Sequence, residues 1–381
     1  AVGMEETEFD DILDDWFIES LKTYRDLYVY QLEQPTKVIE WTSGKSVCIA
    51  GYSSSKNEIM ELCLPPKLFA DENKALCAER DFRVVHGGLT DGPVHCLRHI
   101  PGTRCVVTND GRSSDLQVWE LEGDNSDVIR RTGSLEGRRG VSEGGSRIAA
   151  QCSLSQPQVL HGATSSDVQL TQLTSGQPLF KLETTSADPL SSLQFVSDSV
   201  FLASCCNGSI YITDIRISAA PQLFPPPASS GDSTLWWTDA TAGLSTCKIV
   251  RLSSFGQVEV SDLRNPGRGA VSRAQLDIQT HHCNFDNIRV SWAPVLDGYI
   301  AVSGFGGTVQ IYNSSVWRSE LQEAQPLFEH RGHSVSSLST DGITVTSHVW
   351  HPEWPRMLLS AASDSSVHVW DWIDPSVSDG N

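Results

Sequence analysis

The stretch between residues 330 and 372 constrains the fold of this chain more than any other part of it. A Gly-His pair, Gly332-His333, opens the stretch, and a Trp-Asp pair, Trp370-Asp371, closes it. Between the two pairs lie three short runs rich in β-branched and apolar residues, at 344–349, 357–361 and 367–370. Runs of this kind, bounded by turn residues, are typical of an antiparallel meander. The sequence therefore predicts three adjacent strands here.

Four polar residues of the same stretch have spacings that allow one buried hydrogen-bonded chain. The Asp364 carboxylate would accept a hydrogen bond from the His333 imidazole. The imidazole would also bind the Ser360 hydroxyl, and that hydroxyl would accept the indole N–H of Trp370. Each donor then has an acceptor, which a buried polar cluster requires. We predict that these four residues are structural.

The pattern of three short strands and a connecting segment recurs along most of the chain. The count of such repeats is seven, but six and eight stay open because the first, third and fifth repeats rest on pattern alone. A Gly-His entry with a strand-ending Trp-Asp is the signature of a propeller blade, and residues 330–372 resemble a WD repeat over their full length. The resemblance implies an all-β, seven-bladed WD-repeat β-propeller over residues 27–374, with a tail at 375–381.

The first 26 residues differ from the repeats. Seven carboxylates lie between Glu5 and Asp15, and aromatic and aliphatic residues follow at helical spacing. This pattern predicts an amphipathic helix over residues 12–25, which would either cap the propeller or dock on a partner. The acidic start predicts no secretory leader, and the absence of an apolar run of about 20 residues predicts no membrane span.

A strand is predicted directly after this helix. The residues that form it are Leu27, Tyr28, Val29, Tyr30 and Leu32. Because the last repeat supplies only three strands of its own, we predict that this strand completes the final blade. The ring would then close without covalent linkage and without an open sheet edge.

Charge and cysteine usage restrict the classes of partner. A formal net charge of −19 argues against direct binding of nucleic acid and favours protein partners with basic or apolar surfaces. The ten cysteines are scattered and contain no Cys-x-x-Cys pair, which indicates free thiols in a reducing compartment. We expect a monomer that works within a hetero-complex.

No arrangement of residues points to catalysis, a cofactor or a metal. His281-His282-Cys283 is a dense group of metal-ligating types, but adjacent loop residues point in different directions. The glycine-rich run at 304–307 lies between two predicted strands and lacks the helix and lysine that follow a phosphate loop. The sequence therefore predicts a protein that is not an enzyme.

Two consecutive blades end in the same Asp-x-Arg turn. Asp214 and Arg216 follow the third strand of the fourth repeat, and Asp262 and Arg264 follow that of the fifth. The turns resemble the motif by which many WD-repeat substrate receptors dock on the adaptor of a cullin–RING ubiquitin ligase. Asp-x-Arg at this position also occurs in propellers as a local ion pair, so both interpretations stay open.

Long insertions separate several predicted strands, at 65–80, 122–147, 219–234, 265–287 and 313–339. The insertion at 219–234 contains three consecutive prolines and is predicted to be a disordered or extended surface loop. Trp236 and Trp237 follow it directly. They are candidate anchors for a partner, because aromatic residues dominate many interfaces. The alternative is that they belong to the blade core.

Most of the chain resembles the family of WD repeat-containing protein 73. The segments that carry this resemblance are Asp14-Asp15-Trp16, Glu79-Arg80-Asp81-Phe82, His86-Gly87-Gly88, Gly304-Phe305-Gly306-Gly307-Thr308-Val309-Gln310, Leu358-Leu359-Ser360 and His368-Val369-Trp370-Asp371-Trp372. The resemblance implies a non-catalytic cytoplasmic scaffold that helps to assemble the RNA-endonuclease module of the Integrator complex, with subunits nine and eleven as partners. It also implies tubulin or spindle components as partners, at the spindle poles and cleavage furrow of dividing cells.

Overall fold

Seven sheets form a closed ring in the computed structural model, and each sheet is one blade of a propeller. The structure describes residues 2–51, 56–65, 82–122, 126–138, 145–153, 156–242, 247–278, 283–335 and 342–377. The prediction of an all-β, seven-bladed propeller is confirmed. The residues at 281 and 282, considered above as metal ligands, lie outside the described residues.

The first four blades each contain four antiparallel strands that follow one another in the chain. Blades one and two consist of β2 (Thr36–Ser43), β3 (Ser46–Gly51), β4 (Glu58–Cys63) and β5 (Arg83–Leu89), and of β6 (Cys96–His99), β7 (Cys105–Asn109), β8 (Leu116–Glu120) and β9 (Arg130–Leu135). Blades three and four consist of β10 (Arg147–Ser153), β11 (Gln156–Gly162), β12 (Gln169–Gln172) and β13 (Pro178–Lys181), and of β14 (Leu190–Phe195), β15 (Val200–Cys205), β16 (Ile210–Asp214) and β17 (Gln222–Phe224).

The last three blades depart from this regularity in two places. Blade five consists of β18 (Trp236–Ala240), β19 (Lys248–Ser253), β20 (Gln257–Asp262) and β21 (Ala270–Leu276), and β25 (Glu323–Ala324) adds a short parallel strand at its edge. Blade six consists of β22 (Arg289–Trp292), β23 (Tyr299–Ser303), β24 (Val309–Asn313) and β26 (Phe328–His330). Blade seven consists of β27 (Val345–Trp350), β28 (Met357–Ala362), β29 (Ser366–Trp372) and, from the other end of the chain, β1 (Tyr24–Gln31).

The blades pack face to face, and their cores lie between neighbouring sheets. Ile49 and Leu62 of blade one share a buried cluster with Leu359 and Val369 of blade seven. Every residue of β28 is buried, which explains why its residues are apolar on both faces apart from Ser360. The innermost strands, β2, β6, β10, β14, β18, β22 and β27, contact one another in sequence around the ring, and β27 contacts β2.

The N-terminal strand closes the ring, as predicted. β1 pairs antiparallel with β29, and Leu27, Tyr28, Val29 and Tyr30 lie opposite Trp370, Val369, His368 and Val367. The backbone N–H of Leu32 extends the ladder by donating to the Ser365 carbonyl at 2.9 Å. The outer edge of β29 is therefore paired, and the N-terminal strand completes blade seven with a fourth strand.

The boundary between the helix and this strand differs from the prediction. Helix α1 spans Val2–Thr23, and β1 starts at Tyr24 instead of Leu27. The Tyr24 side chain is buried among aromatic rings, with its centroid 5.2 Å from that of Phe328 and 6.3 Å from that of Trp370. Because this burial places Tyr24 in the strand, the helix ends at Thr23. The spacing of apolar residues along the helix cannot predict this end point.

Two segments predicted to be loops contain strands. β17 lies within residues 219–234, and β21 lies within residues 265–287. Phe224 of β17 is buried beneath the Arg251 guanidinium, which lies 4.6 Å from the ring centroid. Pairing with the third strand of each blade satisfies backbone groups that a loop would leave to water, so short outer strands form despite weak local signals.

Two further observations concern the chain as a whole. Across the described residues, no helix combines the length and the apolar character that a membrane crossing requires. Eight of the ten cysteines are free thiols, at positions 48, 63, 96, 105, 205, 206, 247 and 283.

Candidate functional site

The polar chain of blade seven contains the four predicted residues and one more. The Trp370 indole N–H donates to Ser360 Oγ at 3.1 Å, and Ser360 Oγ lies 2.8 Å from His333 Nε2. On its other side, His333 Nδ1 lies 2.7 Å from Ser366 Oγ, and Ser366 Oγ donates to Asp364 Oδ1 at 2.5 Å. The link between Asp364 and His333 therefore runs through Ser366, whereas the sequence predicted a direct bond.

The direction of these hydrogen bonds fixes the protonation of His333. Because Ser366 donates to the Asp364 carboxylate, its oxygen accepts the Nδ1–H of His333. His333 Nε2 then carries no proton and accepts from Ser360, which in turn accepts from Trp370. Burial holds the pKa of His333 well below its usual value, so the ring is neutral. Each donor in the chain has an acceptor.

Two other histidines pack against this chain. The His368 ring stacks on that of His333 with centroids 3.7 Å apart, and its Nδ1 lies 2.9 Å from His330 Nε2. His330 Nδ1 lies 2.6 Å from the Tyr24 hydroxyl, which ties the N-terminal strand to the same cluster. Burial lowers the pKa of His368 to about 4 and that of His330 well below its ordinary value. The sequence analysis missed these contacts.

The three imidazoles do not fit a metal ion. One ring nitrogen from each of His330, His333 and His368 lies within 4.8 Å of the others. Both ring nitrogens of His330 and of His333, together with Nδ1 of His368, already make hydrogen bonds. Only Nε2 of His368 lacks a partner, and a metal would have to displace the other bonds. The cluster is a structural element of the closing blade.

The two Asp-x-Arg turns are internal ion pairs on exposed edges of blades four and five. Arg216 binds Asp214 through two nitrogens, at 3.0 and 2.7 Å, and Arg264 binds Asp262 in the same way, at 2.9 and 2.5 Å. The hydrogen bonds from each arginine lower the pKa of its aspartate to about 2. This geometry is that of a local ion pair, and both arginine side chains remain largely exposed.

The two candidate tryptophan anchors are not on the outer surface. Trp236 is 1% exposed and donates its indole N–H to Ser230 Oγ at 3.1 Å, so it belongs to the blade core. Trp237 is half-buried, lines the central cavity of the ring and has its ring centroid 6.1 Å from that of Phe285. Trp236 is therefore unavailable to a partner, and Trp237 is reachable only through the cavity.

An exposed apolar surface lies on α1, next to the ring closure. Phe17 and Leu21 are 59% and 69% exposed, and Ile12 and Ile18 are more than half exposed. Trp16, on the side of the helix that faces the propeller, packs into the aromatic cluster of the ring closure. The helix thus caps the propeller with one face and leaves another exposed, so the capping alternative is observed and docking on a partner stays a prediction.

Comparison with known proteins identifies the family. The chain is 46% identical over 370 residues to the Integrator complex assembly factor WDR73 of Danio rerio, covering 95% of this chain and 96% of that protein. It is 39% identical to the protein of the same name from Xenopus laevis and 38% identical to that from Homo sapiens, over 95% of this chain in each case. The chain belongs to the WDR73 family. No family model matches it. This member of the family therefore combines a closed propeller with an N-terminal helix whose apolar face is exposed.

Proposed function

We propose that this protein is a non-catalytic scaffold for assembly of the RNA-endonuclease module of the Integrator complex, and that it binds subunits nine and eleven of that complex. Relatives covering almost the whole chain are named Integrator complex assembly factors. The observation in the structure that supports this proposal best is the exposed apolar face of α1, because such a surface on a folded chain favours a protein partner.

The apolar face consists of Leu13, Phe17 and Leu21, which are spaced four residues apart and so lie along one side of the helix. Their exposed fractions are 36%, 59% and 69%. An amphipathic helix that offers anchors at this spacing suits an apolar groove on the partner. The face therefore favours a helix-in-groove contact.

The C-terminal end of the helix is held by the propeller. Ser20 is buried, Trp16 packs against the closing blade, and the Ile373 N–H donates to the Thr23 carbonyl at 2.9 Å. Tyr24 continues directly into β1. Fixing one end of a binding helix reduces the conformational entropy that is lost on association, so the propeller acts as a base for the docking element.

Charge around the apolar face indicates the chemistry of the partner. Asp10, Asp11, Asp14 and Asp15 are exposed on the same helix, and the whole chain carries a net charge of −19. A groove rimmed by lysine and arginine would therefore attract this helix and orient it. We propose that a subunit of the endonuclease module presents such a groove.

A pair of variants tests this surface. The double variant Phe17→Ser/Leu21→Ser should bind the purified subunits at least about tenfold more weakly than wild type, since aromatic and aliphatic anchors dominate helix-in-groove contacts. Phe255→Ser is the matched control, because Phe255 is also 59% exposed but lies in blade five, away from α1. Calorimetry measures the affinity of the double variant and of the control, and their melting temperatures verify that both are folded. Equal binding by both variants would exclude α1 as the docking element.

Affinity purification of the protein tests the alternative that it is a ligase substrate receptor. Charge reversal at Asp214 and Asp262 should leave subunit binding intact if these residues only pair with Arg216 and Arg264. Loss of subunit binding by a folded double variant would contradict the scaffold proposal. Recovery of a cullin adaptor that depends on the two arginines would favour a substrate receptor instead.

The remaining implications of the family resemblance stay predictions. They are a cytoplasmic location, enrichment at spindle poles and the cleavage furrow, and tubulin or spindle components as partners. Imaging of the tagged protein through division, combined with affinity purification from mitotic cells, tests them. A tag signal that never reaches the spindle, together with eluates that lack tubulin, would remove the spindle role and leave the assembly role unaffected.

A further inference from the structure

The axis of the propeller encloses a cavity of about 580 Å³, lined by the inner strands of all seven blades. A volume of this size suits a small molecule. Three arginines belong to the cavity wall, Arg98, Arg147 and Arg289, and they come from blades two, three and six. Arg147 and Arg289 are the first residues of β10 and β22, so they lie towards the end of the cavity at which the inner strands begin.

Neither Arg147 nor Arg289 has a carboxylate partner among the described residues. Arg147 Nε donates to the Leu190 carbonyl at 3.3 Å. One terminal nitrogen of Arg289 donates to the carbonyls of Asp286 and Ile288, at 2.6 and 2.9 Å. These main-chain hydrogen bonds fix the direction of each guanidinium group, but they provide no negative charge. Further N–H groups of each guanidinium can donate to another acceptor.

The acidic groups in and near the cavity are engaged elsewhere. Glu40 binds Arg98 at 3.2 Å. Asp286 lies 3.7 Å from the amine of Lys37. Asp239 accepts the Trp292 N–H at 2.8 Å, and burial raises its pKa to about 7, so it is only partly charged near neutral pH. None of these carboxylates forms an ion pair with Arg147 or Arg289, although the charge of Asp286 acts on Arg289 from a greater distance.

The two arginines also affect nearby groups as unbalanced charges would. Burial, followed by the positive charges of Arg147 and Arg98, lowers the pKa of Arg289 to about 10 and outweighs the smaller opposing effects of Cys96 and Asp286. Burial and the charge of Arg147 lower the pKa of His95, another residue of the cavity wall, to about 4. His95 Nε2 is buried and has no hydrogen-bond partner. A bound anion would relieve the repulsion and supply an acceptor for these groups.

We propose that the cavity binds a phosphate group carried by a small molecule, held between Arg147 and Arg289. A phosphate dianion balances two guanidinium charges, and its oxygens accept paired hydrogen bonds from the planar fork of an arginine. A bulky nucleic acid is excluded by the enclosing blades and the acidic exterior, so the net charge of −19 is compatible with this internal site.

Thermal unfolding at constant ionic strength tests the proposal, with inorganic phosphate replacing chloride as the probe. Phosphate should raise the melting temperature of the wild-type protein in a saturable way, by roughly 2 °C or more at saturation. The double variant Arg147→Gln/Arg289→Gln should bind phosphate at least about tenfold more weakly in calorimetry. Arg130→Gln, an exposed arginine on β9, is the matched control and should behave as wild type.

The phosphate-free state provides a second, independent readout. Removing two unbalanced cations relieves repulsion, so the double variant should melt at or above the wild-type temperature without phosphate. Saturating phosphate should then reverse that order, because only the wild type gains stability. The proposal is overturned if phosphate leaves the wild-type melting temperature unchanged, or if the double variant responds to phosphate as strongly as the wild type does.

Discussion

Two buried polar networks join parts of the propeller in contrasting ways. At the junction of blades six and seven, His330, His333 and His368 are neutral rings linked to one another, to hydroxyl groups and to the Tyr24 side chain. Between blades one and two, the buried Glu61 carboxylate binds Arg104 through both oxygens, at 2.9 and 2.5 Å. The first network contains stacked rings with lowered pKa values, and the second is built on a charged pair.

The contact around Glu61 shows how a carboxylate can stay charged when buried. Burial acts to raise the pKa of Glu61, but hydrogen bonds from Arg104, Thr42 and His86 outweigh it and hold that pKa below its usual value. Thr42 donates at 2.8 Å, and His86 Nδ1 lies 2.8 Å away. The histidine cluster has no cation of this kind, so it is stable only while its rings remain neutral. The comparison shows that one fold uses both solutions to bury polar atoms between strands.

The largest effect should come from removing the strand that joins the histidine network to the start of the chain. Deleting residues 1–33 removes β1 and the Tyr24 hydroxyl that binds His330, and it exposes β29 to other chains. We expect an aggregated product, measured by size-exclusion chromatography. Deletion of residues 1–11 is the control and should leave the protein monomeric. A soluble product lacking residues 1–33 that unfolds cooperatively would show that β1 is not needed for closure.

Replacing Trp370 tests the core of the neutral network. Trp370→Ala removes a fully buried indole and the donor to Ser360, and it should reduce the free energy of unfolding by about 3–5 kcal/mol. Urea denaturation monitored by circular dichroism measures this loss. A midpoint within error of the wild type would mean that the hydrogen-bonded chain contributes little to the ring.

Replacing Glu61 tests the charged network. Glu61→Gln keeps the shape but removes the charge that faces Arg104, so we expect a loss of about 1.5–3 kcal/mol in the free energy of unfolding. Glu122 also binds Arg104, at 3.2 Å, but its side chain is 60% exposed. Glu122→Gln is therefore the control, and its effect should stay below about 0.5 kcal/mol. Similar losses in the two variants would contradict a special role for the buried carboxylate.

The two networks should lose their contributions to stability at different pH values. The effect per residue should be the smallest of those predicted here. The folded histidines have lowered pKa values, so below about pH 6.5 the unfolded chain binds protons that the folded chain does not, and stability falls as the pH decreases. At pH 5.5 each such histidine should cost about 1 kcal/mol. The contribution of Glu61 is present above its unfolded pKa of about 4.5 and is lost only at lower pH, as the folded pKa is approached.

Denaturation midpoints between pH 7.5 and 5.5 check this difference. Wild type and Glu61→Gln should lose stability in parallel over this range, whereas His368→Asn should lose less. His95, His161 and His348 also have lowered pKa values, so the His368 variant should retain part of the slope. If the denaturation midpoint of Glu61→Gln did not change between pH 7.5 and 5.5, the acid sensitivity would arise from the Glu61 network and not from the histidines.

Local sequence patterns were sufficient to predict the architecture of this protein. Short β-branched runs between turn residues predicted seven blades, and the missing strand of the last repeat predicted closure by residues near Leu27. The prediction succeeds because strand pairing within a blade joins segments that are close in the chain, and because burial on both faces favours apolar runs such as Met357-Leu358-Leu359 in β28. The spacing of His333, Ser360, Asp364 and Trp370 indicated a polar chain because these residues are also close in the chain.

Other features depend on contacts that no local pattern encodes. The Tyr24 hydroxyl meets His330 across 306 positions of sequence, and Ser366 enters the polar chain because the turn after Asp364 brings its hydroxyl to His333. Which face of α1 is covered depends on where the closing blade lies. The grouping of Arg147 and Arg289 in one cavity arises only when blades three and six are arranged around the same axis. The sequence alone determined the blades, because their pairing is local, whereas the tertiary structure decided which distant charges and rings share a site.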